Sequence, residues 1–256
     1  MQNPEYCLRA KNYSESQQNQ RFYKYWVDHI LETSESSDRI GSVVELGCGS
    51  GFSTTSFYRY YNPDAYVGID ISEEMLAFAR KNPAHAHIEF LKSKAEETPL
   101  SAEIADRVVS SFAFHWFETT SALQEISRLL RPKGRALLVI PTFSGTRVNT
   151  IGNVLLRRAF NRECRKNRVA RSTNIGISLE SLAPALQSSG LKVVNCQQAE
   201  LVESFNSSEQ LWTTLDSRGS LRAIFGKDRS DLDLPQEDLE TCDFNWRVLN
   251  LTLEKI

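Results

Sequence analysis

Glu45-Leu46-Gly47-Cys48-Gly49-Ser50-Gly51 is the stretch that decides the fold, and it begins inside a short apolar run at 43–47. An apolar run that ends in glycine predicts a buried parallel strand. The three glycines predict a loop whose backbone can approach a ligand closely, because glycine has no Cβ atom. In an open α/β sheet, ligands bind outside the carboxyl ends of the strands. We therefore expect a ligand where this strand passes into the loop.

Acidic residues stand near the ends of the first two predicted strands. Glu45 lies two residues ahead of the first glycine, and Asp70 ends the strand predicted at 65–70. A carboxylate in the second position can accept hydrogen bonds from both hydroxyls of a ribose. The glycines alone would also suit a tight strand-to-helix turn without a ligand. Together with the two acids they favour a ligand site.

A nicotinamide dinucleotide site is the competing interpretation of the same loop. Its fingerprint is G-x-G-x-x-G, with the pyrophosphate at a helix N-terminus. Counting from Gly47, the last glycine of that fingerprint falls on Phe52, whereas this chain has its glycine one residue earlier, at Gly51. Glu45 would also place negative charge near a pyrophosphate, and it suits a cationic ligand better.

Strand and helix signals alternate along most of the chain, which predicts an α/β fold with a mostly parallel sheet and helices on both faces. The signal at 121–134 predicts a helix that is stopped by Pro132 and Gly134. The last strand alternates less cleanly and is expected at a sheet edge. The predicted helices are 12–31, 52–60, 72–82, 121–134 and 179–189, and the predicted strands are 43–47, 65–70, 88–94, 106–114, 135–141, 191–202 and 244–255.

Two segments interrupt this alternation, at about 142–178 and 203–243. Both are too long to be simple connections, so each is expected to contain helix and to cover part of the molecule as a helical lid. The chain is otherwise expected to be a single domain over 1–256, with a ligand-binding core at about 40–141.

Composition excludes several classes of protein. The 30 basic and 32 acidic side chains give a net charge of −2, which argues against a nucleic-acid-binding protein. No apolar stretch approaches the roughly 20 residues of a membrane-spanning helix, and the polar N-terminus does not resemble a secretory signal. Five cysteines without a C-x-x-C pair indicate reduced thiols in a cytoplasmic protein, and no metal site is expected.

Four motifs follow one another at 40–141: E-L-G-C-G-S-G, V-G-I-D-I-S-E-E-M-L-A-F-A-R, A-D-R-V-V-S-S-F-A-F-H-W-F and R-L-L-R-P-K-G-R-A-L-L-V. In this order and spacing they resemble the motifs of class I S-adenosylmethionine-dependent methyltransferases. The resemblance implies a Rossmann-like, seven-stranded, mostly parallel sheet with S-adenosylmethionine as cofactor.

The resemblance also implies roles for individual residues. Glu45 would lie near the methionine amino group, and Asp70 would bind the ribose hydroxyls. Lys94 stands where such families place an acid for the adenine amino group, and a lysine cannot accept a hydrogen bond. Either the Ala95 backbone and the Glu96 side chain would serve instead, or the affinity for the cofactor would be reduced. The remaining implied cofactor contacts are Gly47, Cys48, Gly49 and Gly51 in the loop, Ile71 and Met75 at the adenine, Ser111 and Phe112 after the fourth strand, and Tyr13 from the N-terminal helix.

Two aromatic residues are candidates for the acceptor side. His115 and Trp116 follow the fourth strand, where the methyl group would point. His115 could act as a general base for an alcohol, phenol or amine, or both side chains could simply pack the loop. A carboxylate acceptor needs no base, because it is already ionised at neutral pH.

Charge is unevenly distributed in the second half of the chain. Residues 157–171 contain seven basic residues and one acid, while 228–243 contain seven acids and one arginine. The basic segment could be a solvated helix face, a lid paired with the acidic stretch, or a docking surface for an acidic carrier protein. Arginine suits carboxylates, so Arg147 or a neighbour could hold a substrate carboxylate.

The layout of the second half is similar to that of the malonyl-acyl carrier protein O-methyltransferases of biotin synthesis. We therefore expect a small-molecule or carrier-bound acceptor, with O-methylation of a carboxylate favoured, in a monomer or weak dimer. Methylation of another free metabolite at oxygen, nitrogen or carbon remains open. A catalytically inert cofactor-binding partner protein is the other alternative.

Overall fold

The computed structural model describes residues 4–33, 40–142, 150–166, 177–227, 229–237 and 241–256. Its sixteen α-helices and β-strands in these ranges are, in chain order, α1 Pro4–Glu15, α2 Gln17–Thr33, β1 Ser42–Leu46, α3 Thr54–Tyr61, β2 Ala65–Asp70, α4 Glu73–Lys81, β3 Glu89–Lys92, β4 Ala105–Ser111, α5 Thr119–Leu129, β5 Leu130–Thr142, α6 Ile151–Lys166, α7 Leu179–Ser189, β6 Leu191–Phe205, α8 Ser208–Ser217, α9 Ser220–Phe225 and β7 Cys242–Lys255.

The chain divides into two compact units. The first consists of Met1–Ile140, Leu179–Gln197 and Leu249–Ile256, and the second of Pro141–Ser178 and Gln198–Val248. No helix within the described ranges has the length and apolar character needed to cross a membrane.

The described strands form one seven-stranded sheet in the order β3-β2-β1-β4-β5-β7-β6. The pairs β1–β2, β1–β4, β2–β3 and β4–β5 are all parallel. The predicted Rossmann-like, mostly parallel α/β fold is therefore confirmed. Because β2 and β4 flank β1, the strand order reverses there, and a crevice at such a point is where open α/β sheets bind ligands.

Buried apolar runs explain why these segments form central strands. Val43, Val44 and Leu46 on β1 are almost fully buried, as a strand covered on both faces must be. The helix after β2 begins at an N-cap, because the Ser72 side chain accepts a hydrogen bond from the Met75 N–H in the first turn of α4. These local signals fix where β2 ends and α4 begins, which is where Asp70 stands.

Two predicted helices have different bounds in the structure. The helix predicted at 12–31 is two helices, α1 and α2, that meet at Ser16. The helix predicted at 121–134 ends at Leu129, and Pro132 and Gly134 lie in β5 instead. The β4–β5 register jumps from Ala105 opposite Leu130 to Arg107 opposite Arg135, and such an irregularity tolerates a proline within a strand.

The expectation that 244–255 is an edge strand is wrong. β7 lies between β5 and β6, and four consecutive residues, Val248 to Leu251, are buried. Burial of consecutive residues means that both faces of the strand are covered. The edge strand at this side of the sheet is β6, whose side chains are mostly exposed.

Both long insertions contain helix, as predicted. α6 lies in the first, and α8 and α9 lie in the second. An ion pair with a buried arginine lies within the second unit: the Arg218 guanidinium donates to both carboxylate oxygens of Glu203 (2.6 and 3.0 Å). The Trp246 indole N–H donates to the same carboxylate (2.8 Å). Whether these helices cover a site stays a prediction.

Candidate functional site

Two backbone hydrogen bonds join the glycine loop to the end of β2. The backbone N–H groups of Gly47 and Cys48 both donate to the Ile69 carbonyl oxygen (2.8 and 3.0 Å). The Cys48 side chain is buried, and its Sγ would lie only 3.1 Å from a Cβ at Gly68. The loop therefore turns its cysteine towards the protein and leaves its backbone to face a ligand.

The three glycines of the loop have positive φ angles but different surroundings. A Cβ at Gly47 would lie 2.3 Å from the Ala113 Cβ, and one at Gly51 would lie 2.4 Å from His85 Cε1. A Cβ at Gly49 would meet no atom of the described residues within 4 Å. Gly47 and Gly51 are thus required by packing within the protein, whereas Gly49 borders open space.

The carboxylate of Asp70 positions the backbone at that open point. Its Oδ2 accepts a hydrogen bond from the Gly49 N–H, and its Oδ1 accepts one from the Ser72 N–H, both at 2.8 Å. Burial raises the pKa of Asp70, and these two backbone bonds partly offset the rise. A carboxylate oxygen has two lone pairs, so each oxygen retains one for a ligand hydroxyl.

Glu45 is buried behind the loop at the end of β1. Its Oε2 accepts hydrogen bonds from the Thr54 hydroxyl (2.6 Å) and the Tyr66 hydroxyl (2.8 Å), so the second oxygen takes no part in either bond. Burial raises the pKa of Glu45 to about 7, and the nearby charge of Asp70 acts in the same direction. Near neutral pH this carboxyl can therefore be charged or neutral, according to what lies beside it.

His85 supports the loop from the other side. Its Nδ1 donates to the Ala79 carbonyl oxygen (2.8 Å), and its Nε2 lies 2.9 Å from the Thr55 hydroxyl. Burial lowers its pKa, so the ring is neutral at pH 7. This histidine therefore packs against Gly51 and supports the loop.

No three His, Cys, Asp or Glu side chains of the described ranges meet as a metal site requires.

An open cleft of about 590 Å³ adjoins the end of β2. Ile71 lines it with 59% of its surface exposed, and Lys94 lines it as well. The Glu96 carboxylate also borders the cleft but accepts a hydrogen bond from the Glu118 N–H (2.9 Å). Ala95 is buried. Of the side chains expected at an adenine, Ile71 and Glu96 thus line one cleft, whereas Met75 is not among its lining residues.

The carboxyl end of β4 has two unusual features. Phe112 adopts a φ of +53°, which is strained for a bulky residue, and its N–H donates to the Val139 carbonyl oxygen (2.8 Å). The hydroxyl of Ser111 is buried and has no hydrogen-bond partner in the described part of the chain. Such strain and unmet polar groups cluster at functional sites.

An aromatic cluster, defined here as Tyr13, Phe22, Tyr23, Trp26, Phe52 and Phe112, connects the N-terminal helices to the loop and to β4. Phe112 packs against the rings of Phe22 and Tyr23 (5.5 and 5.1 Å between centroids). Tyr13 stacks on Phe52 at 5.2 Å, while Met75 accepts a hydrogen bond from the Ser14 hydroxyl (3.7 Å).

Most of this cluster was not expected from the sequence. Tyr13 and Phe112 were expected near the cofactor. Phe22 and Trp26 lie in the predicted helix 12–31, and Phe52 stands where a dinucleotide fingerprint has its last glycine. The sequence does contain a broader signal, since the segment 52–61 after the glycine loop and the N-terminal helix are both rich in aromatic residues.

His115 and Trp116 lie in a short 3-10 turn, Phe114–Trp116, directly after β4. The Nδ1 of His115 is buried and meets no hydrogen-bond partner among the described residues. Burial lowers the pKa of His115 to about 4, so the imidazole is neutral and only weakly basic at pH 7. Trp116 is half exposed beside it.

Three of the five described cations of the basic segment, Arg158, Arg162 and Lys166, form ion pairs within the second unit. Arg147, Arg168 and Arg171 lie outside the described residues, so the structure describes only part of the predicted cationic surface. Glu163 on α6 is itself bound by two lysines. The described ion pairs are Arg158–Glu237, Arg162–Asp233, Lys166–Asp233, Lys166–Glu163 and Lys227–Glu163.

Residues 44–138 match the family model described as "Methyltransferase domain". They span the glycine loop, Asp70, the cleft and the end of β4. This segment is therefore similar to methyltransferase domains.

Several curated proteins are similar to the chain over part of its length. A fatty-acid O-methyltransferase of Mycolicibacterium smegmatis is 26% identical over 64% of this chain and 63% of its own. A malonyl-[acyl-carrier protein] O-methyltransferase of Halalkalibacterium halodurans is 28% identical over 43% of this chain and 41% of its own. The UbiE ubiquinone/menaquinone C-methyltransferase of Syntrophotalea carbinolica is 33% identical over 39% and 43%. The chain thus spans less than two thirds of the length of these relatives.

Solved structures with low identity share the fold. The YcgJ protein of Bacillus subtilis has a TM-score of 0.59 at 20% identity, covering 90% of this chain and 98% of its own. The geranyl diphosphate C-methyltransferase of Streptomyces coelicolor has a TM-score of 0.57 at 12% identity, covering 92% and 80%. At such identities the likeness extends to the architecture alone.

The three loop glycines should respond differently to alanine. Gly47→Ala and Gly51→Ala add an unfavourable positive φ and a steric clash, and each should lower the free energy of unfolding by about 2–4 kcal/mol. Gly49→Ala adds only the φ penalty and should cost about 1 kcal/mol. Urea unfolding measures all three. Equal losses would contradict the assignment of Gly49 to the open side.

Glu45 should make stability depend on pH. Its pKa is near 4.5 when unfolded and about 7 when folded, so unfolding releases a proton between these values. The contribution of this group to stability should therefore be complete below pH 4.5 and be lost as the pH rises to about 7, by roughly 3 kcal/mol. Glu45→Gln keeps the two hydroxyl bonds but cannot ionise, and its unfolding curves should lack this slope. The same slope in both proteins would refute the raised pKa.

Proposed function

We propose that this chain transfers the methyl group of S-adenosylmethionine to the carboxylate of an acyl substrate. The observation that carries the cofactor assignment is the open backbone at Gly49, which the Asp70 carboxylate holds in place at the reversal point of the sheet. The segment 44–138, which is similar to methyltransferase domains, includes both residues.

The residues around this point suit the separate parts of the cofactor. The remaining lone pairs of Asp70 can accept two ribose hydroxyls. Gly49 allows close approach of the ligand, and exposed Ile71 offers an apolar surface for a base. Glu45 suits the amino group of the methionine part, because a cation beside a buried carboxyl favours its charged form. When bound, S-adenosylmethionine supplies an electrophilic methyl group on a positively charged sulfur.

The side chains at the end of β4 favour an acceptor that does not have to lose a proton before it is methylated. His115 has a pKa of about 4, so it is a weak base, and the only titratable side chain of the Phe114–Trp116 turn is this histidine. A carboxylate is already ionised at neutral pH and attacks the methyl group without a base. The protein then contributes positioning and exclusion of water more than proton transfer.

The aromatic cluster and two of the relatives support an acyl acceptor. Phe22, Tyr23 and Trp26 are buried, and the partly exposed rings of Tyr13, Phe52 and Phe112 offer an apolar surface beside the strained turn at Phe112. The relatives from Mycolicibacterium smegmatis and Halalkalibacterium halodurans are O-methyltransferases of a fatty acid and of malonyl-[acyl-carrier protein]. The UbiE relative is a C-methyltransferase, which keeps methylation at carbon as the competing outcome.

A free acyl carboxylate is favoured over a carrier-bound one. Docking of an acidic carrier protein to the basic segment would need unpaired cations, and three of the five described cations there, Arg158, Arg162 and Lys166, are paired with acids of the same unit. Methyl ester formation on malonyl-acyl carrier protein, the reaction of biotin synthesis, is the second candidate because of the Halalkalibacterium relative.

Cofactor binding tests the first half of the proposal. Calorimetry should detect S-adenosylmethionine binding and no binding of a nicotinamide dinucleotide. Asp70→Asn removes the charge and one acceptor, and the loss of charge-assisted hydrogen bonds should weaken binding roughly tenfold to a hundredfold. Asp106→Asn is the matched control, since Asp106 likewise accepts a backbone N–H, that of Ser42 at 2.8 Å, but at the opposite end of its strand. Equal weakening by both variants would count against the assigned role of Asp70.

Product analysis tests the acceptor. Mass spectrometry after incubation with S-adenosylmethionine and a fatty acid, malonyl-acyl carrier protein or a hydroquinone should find the gain of one CH2 on the fatty acid. His115→Gln should keep the rate within about threefold, because general-base catalysis would contribute roughly 10²–10⁴-fold. Methylation of the hydroquinone alone, or loss of the rate in His115→Gln by more than about a hundredfold, would overturn the carboxylate assignment.

A further inference from the structure

β6 is a 15-residue edge strand with one face exposed along its length. It ends the strand order of the sheet, and within the described ranges β7 is its only neighbour. Side chains alternate between the two faces of a strand, so even-numbered residues share one face. Every even-numbered residue from 192 to 204 is exposed: Lys192, Val194, Cys196, Gln198, Glu200, Val202 and Ser204.

Such an edge invites pairing with another strand. It presents unpaired backbone N–H and C=O groups, and proteins usually protect such groups with charged side chains or proline. Residues 193–199 contain neither a charged residue nor a proline. Val193 and Val194 are 40% and 37% exposed, so apolar surface accompanies the open hydrogen-bonding groups.

The exposed face of β6 is complementary to itself in charge. Suppose that two copies of the strand pair antiparallel with Cys196 opposite Cys196. A residue that lies a given number of positions before Cys196 in one copy then lies opposite the residue that follows Cys196 by the same number in the other copy. Lys192 of each copy then faces Glu200 of the other. The two-fold symmetry forms this pair of opposite charges twice, and opposite-charge pairs stabilise neighbouring strands.

The opposite face of the strand matches in the same register. Odd-numbered residues then meet apolar with apolar and amide with amide. Each pairing occurs twice by symmetry, and no like charges meet on either face between 191 and 201. The three pairs are Leu191–Leu201, Val193–Ala199 and Asn195–Gln197.

The two charged side chains have hydrogen-bonding capacity left for a partner. Lys192 is paired with Glu254 (2.8 Å), which uses one of the three donors of an ammonium group. The Glu200 carboxylate accepts from Arg247 at Oε1 (2.6 Å) and from Asn245 at Oε2 (3.0 Å). A carboxylate offers about four lone-pair sites, so each oxygen can accept a further bond.

We propose that β6 is the interface through which two copies of this chain associate, antiparallel and centred on Cys196. The partner is a second copy because the matching pattern lies within a single strand, and a two-fold axis uses the same surface on both subunits. The two sheets would join edge to edge.

Another register of the same strand is less favourable. Centring the pair on Gln198 would place Val194 opposite Val202, which is a good apolar pair. It would also place apolar Val193 opposite Glu203, whose carboxylate already binds Arg218 and Trp246. Lys192 would face a serine instead of an acid, so both opposite-charge pairs would be lost.

Cross-linking tests the register. The cross-linking variant carries Cys7→Ser. Among its described cysteines Cys196 is then the only exposed thiol, because Cys48, Cys164 and Cys242 are buried. Directly opposed residues of antiparallel strands have Cα atoms about 4.5–5.5 Å apart, which a disulfide spans. Mild oxidation of this variant should therefore give a covalent dimer, and adding Cys196→Ser should abolish it.

A displaced thiol is the matched control for the cross-link. In the Cys7→Ser, Cys196→Ser background, Gln198→Cys puts an exposed thiol on the same face. The two thiols of the dimer would then lie four residues apart along the paired strands, about 13 Å. This variant should not cross-link. A dimer that forms through the thiol at position 198 and not through Cys196 would overturn the register.

Sedimentation equilibrium with charge exchange tests the interface. Glu200→Lys puts lysine opposite lysine at two symmetric positions, and should weaken the dimer about tenfold or more. The double variant Glu200→Lys with Lys192→Glu should restore affinity. Glu32→Lys, an equal charge change at an exposed residue of α2, is the control and should leave association unchanged.

Circular dichroism would establish that each variant is folded. A wild type that stays monomeric at every concentration measured would overturn the proposal. A dimer that a folded Glu200→Lys variant leaves intact would overturn it as well, since the contact would then lie elsewhere.

Discussion

The candidate site depends on one contact, the hydrogen bond from the Gly49 N–H to Asp70 Oδ2 (2.8 Å). It exists because β1 and β2 are parallel neighbours with Glu45 opposite Gly68, so that their carboxyl ends meet. The other oxygen of Asp70 binds the N–H of Ser72, the N-cap residue of α4. One carboxylate thus joins the loop, the end of β2 and the start of α4, and it leaves an uncrowded backbone at Gly49.

Much of the fold could be predicted from the sequence because buried parallel strands and amphipathic helices carry local signals. The strand at 65–70 and the helix at 179–189 have the predicted bounds. The errors arise where tertiary pairing decides. Pro132 and Gly134 are strong local stop signals, yet they lie in β5 because a register irregularity against β4 accommodates them. The edge position of β6 depends on the strand order, which no local pattern contains.

The site was predictable to the extent that it consists of chain-local features. Glu45 and Asp70 follow from their positions at strand ends. The difference between Gly47, Gly49 and Gly51 could not be foreseen, because it depends on Ala113 and His85, which are brought in by other parts of the fold. The same holds for the weakly basic His115, whose burial no sequence pattern specifies.

Burial gives the site an unusual charge balance. It raises the pKa of Glu45 to about 7 and lowers that of His115 to about 4, so both groups can be neutral near pH 7. Burial also raises the pKa of Asp70, and the hydrogen bonds from the backbone N–H groups of Gly49 and Ser72 partly offset that rise. A cationic ligand beside Glu45 would lower the pKa of its carboxyl group and favour the ionised form, whereas an anionic ligand would raise that pKa and favour the neutral form. The charge of Glu45 near pH 7 therefore depends on the charge of whatever lies beside it.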